Sequence, residues 1–127
     1  MADASPSIAV VDDDPAVLKA LSRLLRSHAF DVHTYGSGQE FIDSLPGGPP
    51  ECLIADLQMP AMSGQELQKH LARNGFNIPT IIITAHPDAG LLQEHPGLVA
   101  FLLKPLQEST LFAAIDRALN VSRDRSP

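Results

Sequence analysis

Four short apolar runs punctuate the chain. IAVV (8–11), ECLIAD (51–56), IPTIIIT (78–84) and VAFLL (99–103) are apolar at nearly every position and rich in β-branched residues. A strand with one wet face alternates apolar and polar residues. A strand covered on both faces does not, so these runs predict buried strands of a parallel sheet. FDVHTY (30–35) alternates around Val32 and predicts a fifth strand. The segments between have a different period. In AVLKALSRLLRSH the apolar residues Val17, Leu21, Leu24 and Leu25 recur at helical spacing, with Lys19, Arg23 and Arg26 between them. Asp14 is placed to cap that helix, with Pro15 in its first turn. SGQEFIDSL predicts a short helix from near Ser37. GQELQKHLARNG predicts another, with Leu67 and Leu71 inward and Gly75 as its stop. DAGLLQEH predicts a weak helix cut off by Pro96 and Gly97. The last helix is expected to be capped by Ser109, with Leu111, Ile115, Ala118 and Leu119 facing inward. PGGPP (46–50) and LQMPAMSG (57–64) are loops.

Strand and helix thus alternate five times. That pattern predicts an α/β doubly wound parallel sheet with helices on both faces. A length of 127 residues fits a single domain. The polar ends, 1–6 and 122–127, are expected to be flexible. The formal net charge of −6 disfavours direct nucleic-acid binding, which needs clustered Lys and Arg. One cysteine, Cys52, excludes an internal disulfide, and its place in CLIA predicts a buried apolar role. The apolar runs are too short to cross a bilayer, and MADASPS has no signal-peptide pattern, so a cytoplasmic protein is expected.

Parallel α/β sheets bind ligands beyond the carboxyl ends of their strands. Asp12 and Asp13 follow the first apolar run, Asp56 ends the second, Thr84 ends the third and Lys104 follows the last. Singly, each has an ordinary explanation: a turn acid, a capping hydroxyl, a snorkelling lysine. Jointly, they predict one site. Crowded carboxylates repel and call for a hard cation such as Mg²⁺, with Mn²⁺ as the other candidate. A divalent ion, a lysine and a hydroxyl suit phosphoryl transfer, with one carboxylate as nucleophile.

These residues lie in VVDDD (10–14), DLQMPAMSG (56–64), TAH (84–86) and GLVAFLLKPL (97–106). Their wording and order resemble the receiver domain of two-component response regulators, over nearly the whole of 1–127. The resemblance implies a flavodoxin-like five-stranded sheet, order 2-1-3-4-5, with five helices. It implies Asp56 as phosphoacceptor, Asp12, Asp13, Asp56 and the Gln58 backbone carbonyl as Mg²⁺ ligands, and Thr84 and Lys104 as phosphoryl-binding groups. Lys104 is expected to pair with Asp56, through a cis Lys104–Pro105 bond. Phe101 matches an aromatic switch position, moving with Thr84. Gln58 and His86 occupy positions that tune phosphoryl lifetime.

The implied partner is a sensor histidine kinase or phosphotransfer protein, with an output domain or partner protein downstream. The implied role is a signalling phosphoacceptor that assists its own phosphorylation and dephosphorylation, not a turnover enzyme. No membrane is implied, and a homodimer formed on phosphorylation is one outcome the family allows. The chain departs from the family in an apparently short fourth helix before Pro96, and in Leu106 where an aromatic is common. A helix-turn-helix transcriptional output is a faint cue in the motif wording. The rival chemistry, a haloacid dehalogenase-type phosphatase, needs a second Asp two residues after the nucleophile; Gln58 stands there and carries no titrating proton.

Overall fold

The computed structural model describes residues 5–85 and 97–124. In chain order these form β1 (Ser7–Val11), α1 (Pro15–Ser27), β2 (Asp31–Tyr35), α2 (Gly38–Ser44), a 3₁₀ turn (Leu45–Gly47), β3 (Cys52–Asp56), α3 (Gly64–Arg73), β4 (Thr80–Thr84), β5 (Leu98–Leu103) and α4 (Glu108–Asp124). The five strands make one sheet in the order β2-β1-β3-β4-β5, and every pairing is parallel. The expected architecture is therefore observed. The weak helix expected over DAGLLQEH, and His86, lie outside the described residues.

Two apolar layers explain why the central strands read as unbroken apolar runs. On one face Ile8, Val10, Ile54, Ile81 and Ile83 pack against Leu21 and Leu25 of α1 and Leu111 and Ile115 of α4. On the other, Ala9, Val11, Leu53, Ala55 and Ile82 pack against Phe41 of α2 and Leu67 and Leu71 of α3. Alternate residues point to opposite faces, and both faces are covered, so each position must be apolar.

Local chemistry sets the ends of the helices. The Asp14 carboxylate accepts the Ala16 amide at 2.9 Å, with Pro15 at the first helical position of α1. Ser63 and Glu66 form a reciprocal capping box at the start of α3. That helix closes on Gly75 at φ 82°, with the Phe76 amide bonded back to the Leu71 carbonyl at 2.9 Å. The last helix differs from expectation. The Gln107 carbonyl accepts its first hydrogen bond, from Leu111 at 3.0 Å, and the helix begins at Glu108, so Ser109 lies inside it rather than capping it.

The fifth strand also differs. VAFLL was expected to be fully buried, but β5 is half-buried over most of its length and Leu103 is 49% exposed. Its place in the sheet gives the reason: β5 is last in the strand order, with a strand partner on one side only. Cys52 behaves as expected; it is fully buried, and burial pushes its thiol up to about 12.

Candidate functional site

Each strand of the sheet's middle carries one polar group to the same end. Sheet hydrogen bonding continues past the strand ends and fixes where those groups start. The Asp12 amide donates to the Tyr35 carbonyl at 3.1 Å, the Leu57 amide to the Ile83 carbonyl at 2.8 Å, and the Lys104 amide to the Thr84 carbonyl at 2.7 Å. Asp12, Asp56, Thr84 and Lys104 are thereby held in register with one another, although nearly a hundred residues separate the first from the last.

The two neighbouring aspartates after β1 have different environments. Asp12 is fully buried, whereas Asp13 is exposed. The Asp12 carboxylate is satisfied on both oxygens. Oδ1 accepts the Asp14 amide at 2.9 Å, and Oδ2 meets the Lys104 ammonium at 3.3 Å. The same ammonium lies 3.6 Å from Asp56 Oδ1. Lys104 was expected to pair with Asp56. It bridges both carboxylates, and Asp12 is the nearer of the two. The Lys104–Pro105 peptide is cis, as the resemblance to receiver domains implies.

Asp12, Asp13 and Asp56 each offer a carboxylate oxygen, and these oxygens lie within 4.8 Å of one another. Such crowding shows in the acidity of Asp56. Desolvation by burial holds its carboxyl above the ordinary 3.8, and the charge of Asp12 adds to that. The Lys104 ammonium and a hydrogen bond from the Gln58 backbone amide act in the opposite direction. A divalent cation fits this donor set. Its ligands are hard anionic oxygens, and its charge would relieve the repulsion that one lysine only partly offsets. Thr84 is fully buried at the end of β4, between the strands that carry Asp56 and Lys104. Phe101 lies in register with Ile82 and packs, partly buried, against the second apolar layer.

Two shaping positions were not recognised from the sequence. Gly64, read there as the end of a loop, is buried at the start of α3, where its amide donates to the Leu57 carbonyl at 3.0 Å. A Cβ on it would sit 2.5 Å from the Asp56 carbonyl oxygen. Only a bare backbone lets α3 begin this close to the end of β3, and a glycine just after a good cap was the available signal. Ala61 sits at φ 68°, with the Met62 amide bonded to the Pro60 carbonyl at 2.7 Å. That is a three-residue turn in the left-handed region, which nothing about an alanine announces.

Comparison with known proteins agrees with the geometry. The chain is 38% identical over 124 residues to the response regulator protein TodT of Pseudomonas putida, covering 96% of this chain and 55% of that protein. It is 38% identical over 114 residues to the transcriptional regulatory protein FixJ of Bradyrhizobium diazoefficiens, covering 88% of this chain and 56% of that one. The chain thus spans about half the length of these curated relatives. Among solved structures, a response regulator receiver protein from Burkholderia phymatum superposes with a TM-score of 0.79 at 41% identity, covering 91% of this chain and 96% of that one. The family model for the response regulator receiver domain matches residues 8–116, a span that holds both charged ends of the site and all of the sheet except Ser7 of β1. With its sheet order, its clustered acids and its bridging lysine in that matched span, the chain belongs to the response regulator receiver family.

Proposed function

We propose that residues 1–127 form a receiver domain that accepts a phosphoryl group on Asp56 from a phosphohistidine of a sensor kinase or phosphotransfer protein. The observation that carries this reading is the meeting of Asp12, Asp13 and Asp56 oxygens within 4.8 Å, under an ammonium 3.6 Å from Asp56. In this reading the Asp56 carboxylate attacks phosphorus, the P–N bond to the donor imidazole breaks, and an acyl phosphate forms. Lys104 and the Thr84 hydroxyl bind the phosphoryl oxygens. Asp12, Asp13, Asp56 and the Gln58 backbone carbonyl would hold Mg²⁺, which supplies charge neutralisation when bound.

Lys104 stands near two carboxylates before transfer, so the new phosphoryl charge can draw it from Asp12 without leaving it unpaired. Phosphorylation then shifts a pre-existing equilibrium, with Thr84 and Phe101 as the moving groups. Gln58 and His86 set the lifetime of the acyl phosphate, and substituting both should change its half-life. The output follows the relatives: TodT and FixJ are named as regulators, and this chain matches about half of each, which supports a receiver that controls a transcriptional output. The resemblance also supports a cytoplasmic setting. Among the described residues no helix is long and apolar enough to cross a membrane.

Beryllofluoride tests the site without a kinase. With Mg²⁺ present, it should perturb the amide resonances of Asp56, Thr84 and Lys104 in a saturable way. No perturbation at these three would favour a module that has lost phosphoacceptance.

A further inference from the structure

We propose that the groove between α1 and β2 binds a small polyphosphorylated anion, held by Lys19, Arg23 and Arg26. The groove has a volume of about 450 Å³ and is lined by Leu18, Lys19, Ser22, Arg23, Arg26 and Thr34, with Pro15 at one end.

The charge is concentrated here against the trend of the molecule. The chain has nine Lys and Arg against fifteen Asp and Glu. Three of those nine line this groove, and α1 contains no acid beyond the Asp14 that caps it. Among the described residues the ion pairs are those of Lys104, beside a His33–Asp31 contact at 3.3 Å, so none of the three groove cations forms an ion pair. Strand alternation keeps the nearest acid of β2 away: Val32 joins the layer under α1, while Asp31 and His33 pair with each other on the alternate positions.

Two details suit a ligand better than a solvated face. The Arg26 guanidinium donates to the Val32 carbonyl at 3.2 Å, which fixes that side chain beside β2 and leaves its remaining donors for an anion. Ser22 and Thr34 add hydroxyls among the cations. The three cations recur at i, i+4 and i+7, about 10 Å along a helix axis. A chain of phosphoryl groups matches charges spread along the helix better than a single phosphate does. A nucleic-acid backbone is a poorer occupant, because the net charge of −6 repels a long polyanion.

The test is an amide-resonance titration with inorganic triphosphate in Mg²⁺-free buffer, on the wild-type chain and on one carrying Lys19→Gln and Arg23→Gln. Both substituted residues are exposed, so the fold should persist, and unchanged phosphorylation at Asp56 checks that it does. The expected result is saturable shifts along α1 and at Thr34, weakened at least about tenfold in the double variant and weakened by salt. Shifts that do not saturate, that centre elsewhere, or that survive the double substitution would overturn the proposal. So would a polyglutamate peptide binding as tightly as triphosphate or more so, which would make the groove a face for an acidic protein.

Discussion

The two strands that supply the opposite charges of the site are built differently. All five residues of β3 are buried, and β3 has strand partners on both sides. β5 is half-buried for most of its length, pairs only with β4, and does so across a register shift at Thr80/Ile81. Asp56 therefore ends a strand that is buried and paired on both sides, and Lys104 follows an edge strand. Under the proposed function, this contrast suits a fixed nucleophile and a counter-charge that moves. It also explains the Asp56 carboxyl, which is held above its ordinary value chiefly because β3 is so deeply buried.

Core truncation should break this comparison most sharply if it is wrong. Ile54→Ala in β3 is expected to cost roughly 2–5 kcal/mol in urea unfolding. Leu103→Ala in β5 should stay within about 0.5 kcal/mol, as exposed positions do. Similar losses at both would mean that the edge strand is as constrained as the centre.

A smaller effect should come from Asp56→Asn. A carboxyl whose folded pKa lies above its unfolded value holds its proton more tightly when folded. Its contribution to stability is present at low pH and is lost as pH rises from about the ordinary 3.8 through the folded value. Removing the charge should therefore raise stability at neutral pH, by an amount on the order of 1 kcal/mol. In a domain of this size that is a Tm increase of roughly 3–6 °C. The gap should close as pH falls, and also when Mg²⁺ is added to the wild type. A variant that melts lower than wild type at neutral pH would show that Lys104 already compensates the buried charge.

The smallest effect concerns the loop after β3. Ala61→Gly should relieve the cost of a left-handed alanine, about 1 kcal/mol, less the extra freedom glycine gives the unfolded chain. Thermal melts should show a gain of that size or less. A loss would mean that the alanine methyl packs productively.

The same contrast governs how much could be read from the sequence. The β3 run was legible because two-sided burial forces every position to be apolar, and strand-end acids stood out against it. The four charged groups and their common end followed, whereas the order of the sheet came only from the resemblance to receiver domains. β5 was misjudged because its composition resembles that of a central strand; whether a strand is central or at an edge depends on its neighbours, which are set by topology. Ser109 looked like a cap because hydroxyls usually cap, yet the helix begins one residue earlier and the backbone of Gln107 accepts its first bond. Gly64 and the sharing of Lys104 between Asp12 and Asp56 needed three-dimensional proximity of a few ångströms, which residue spacing does not encode.

The proposed phosphoacceptor is Asp56. Intact mass spectrometry after treatment with acetyl phosphate and Mg²⁺ tests it most directly, comparing wild type with Asp56→Asn. The wild type should gain the mass of one phosphoryl group and the variant none. A phosphoryl adduct that persists in the variant would contradict the assignment.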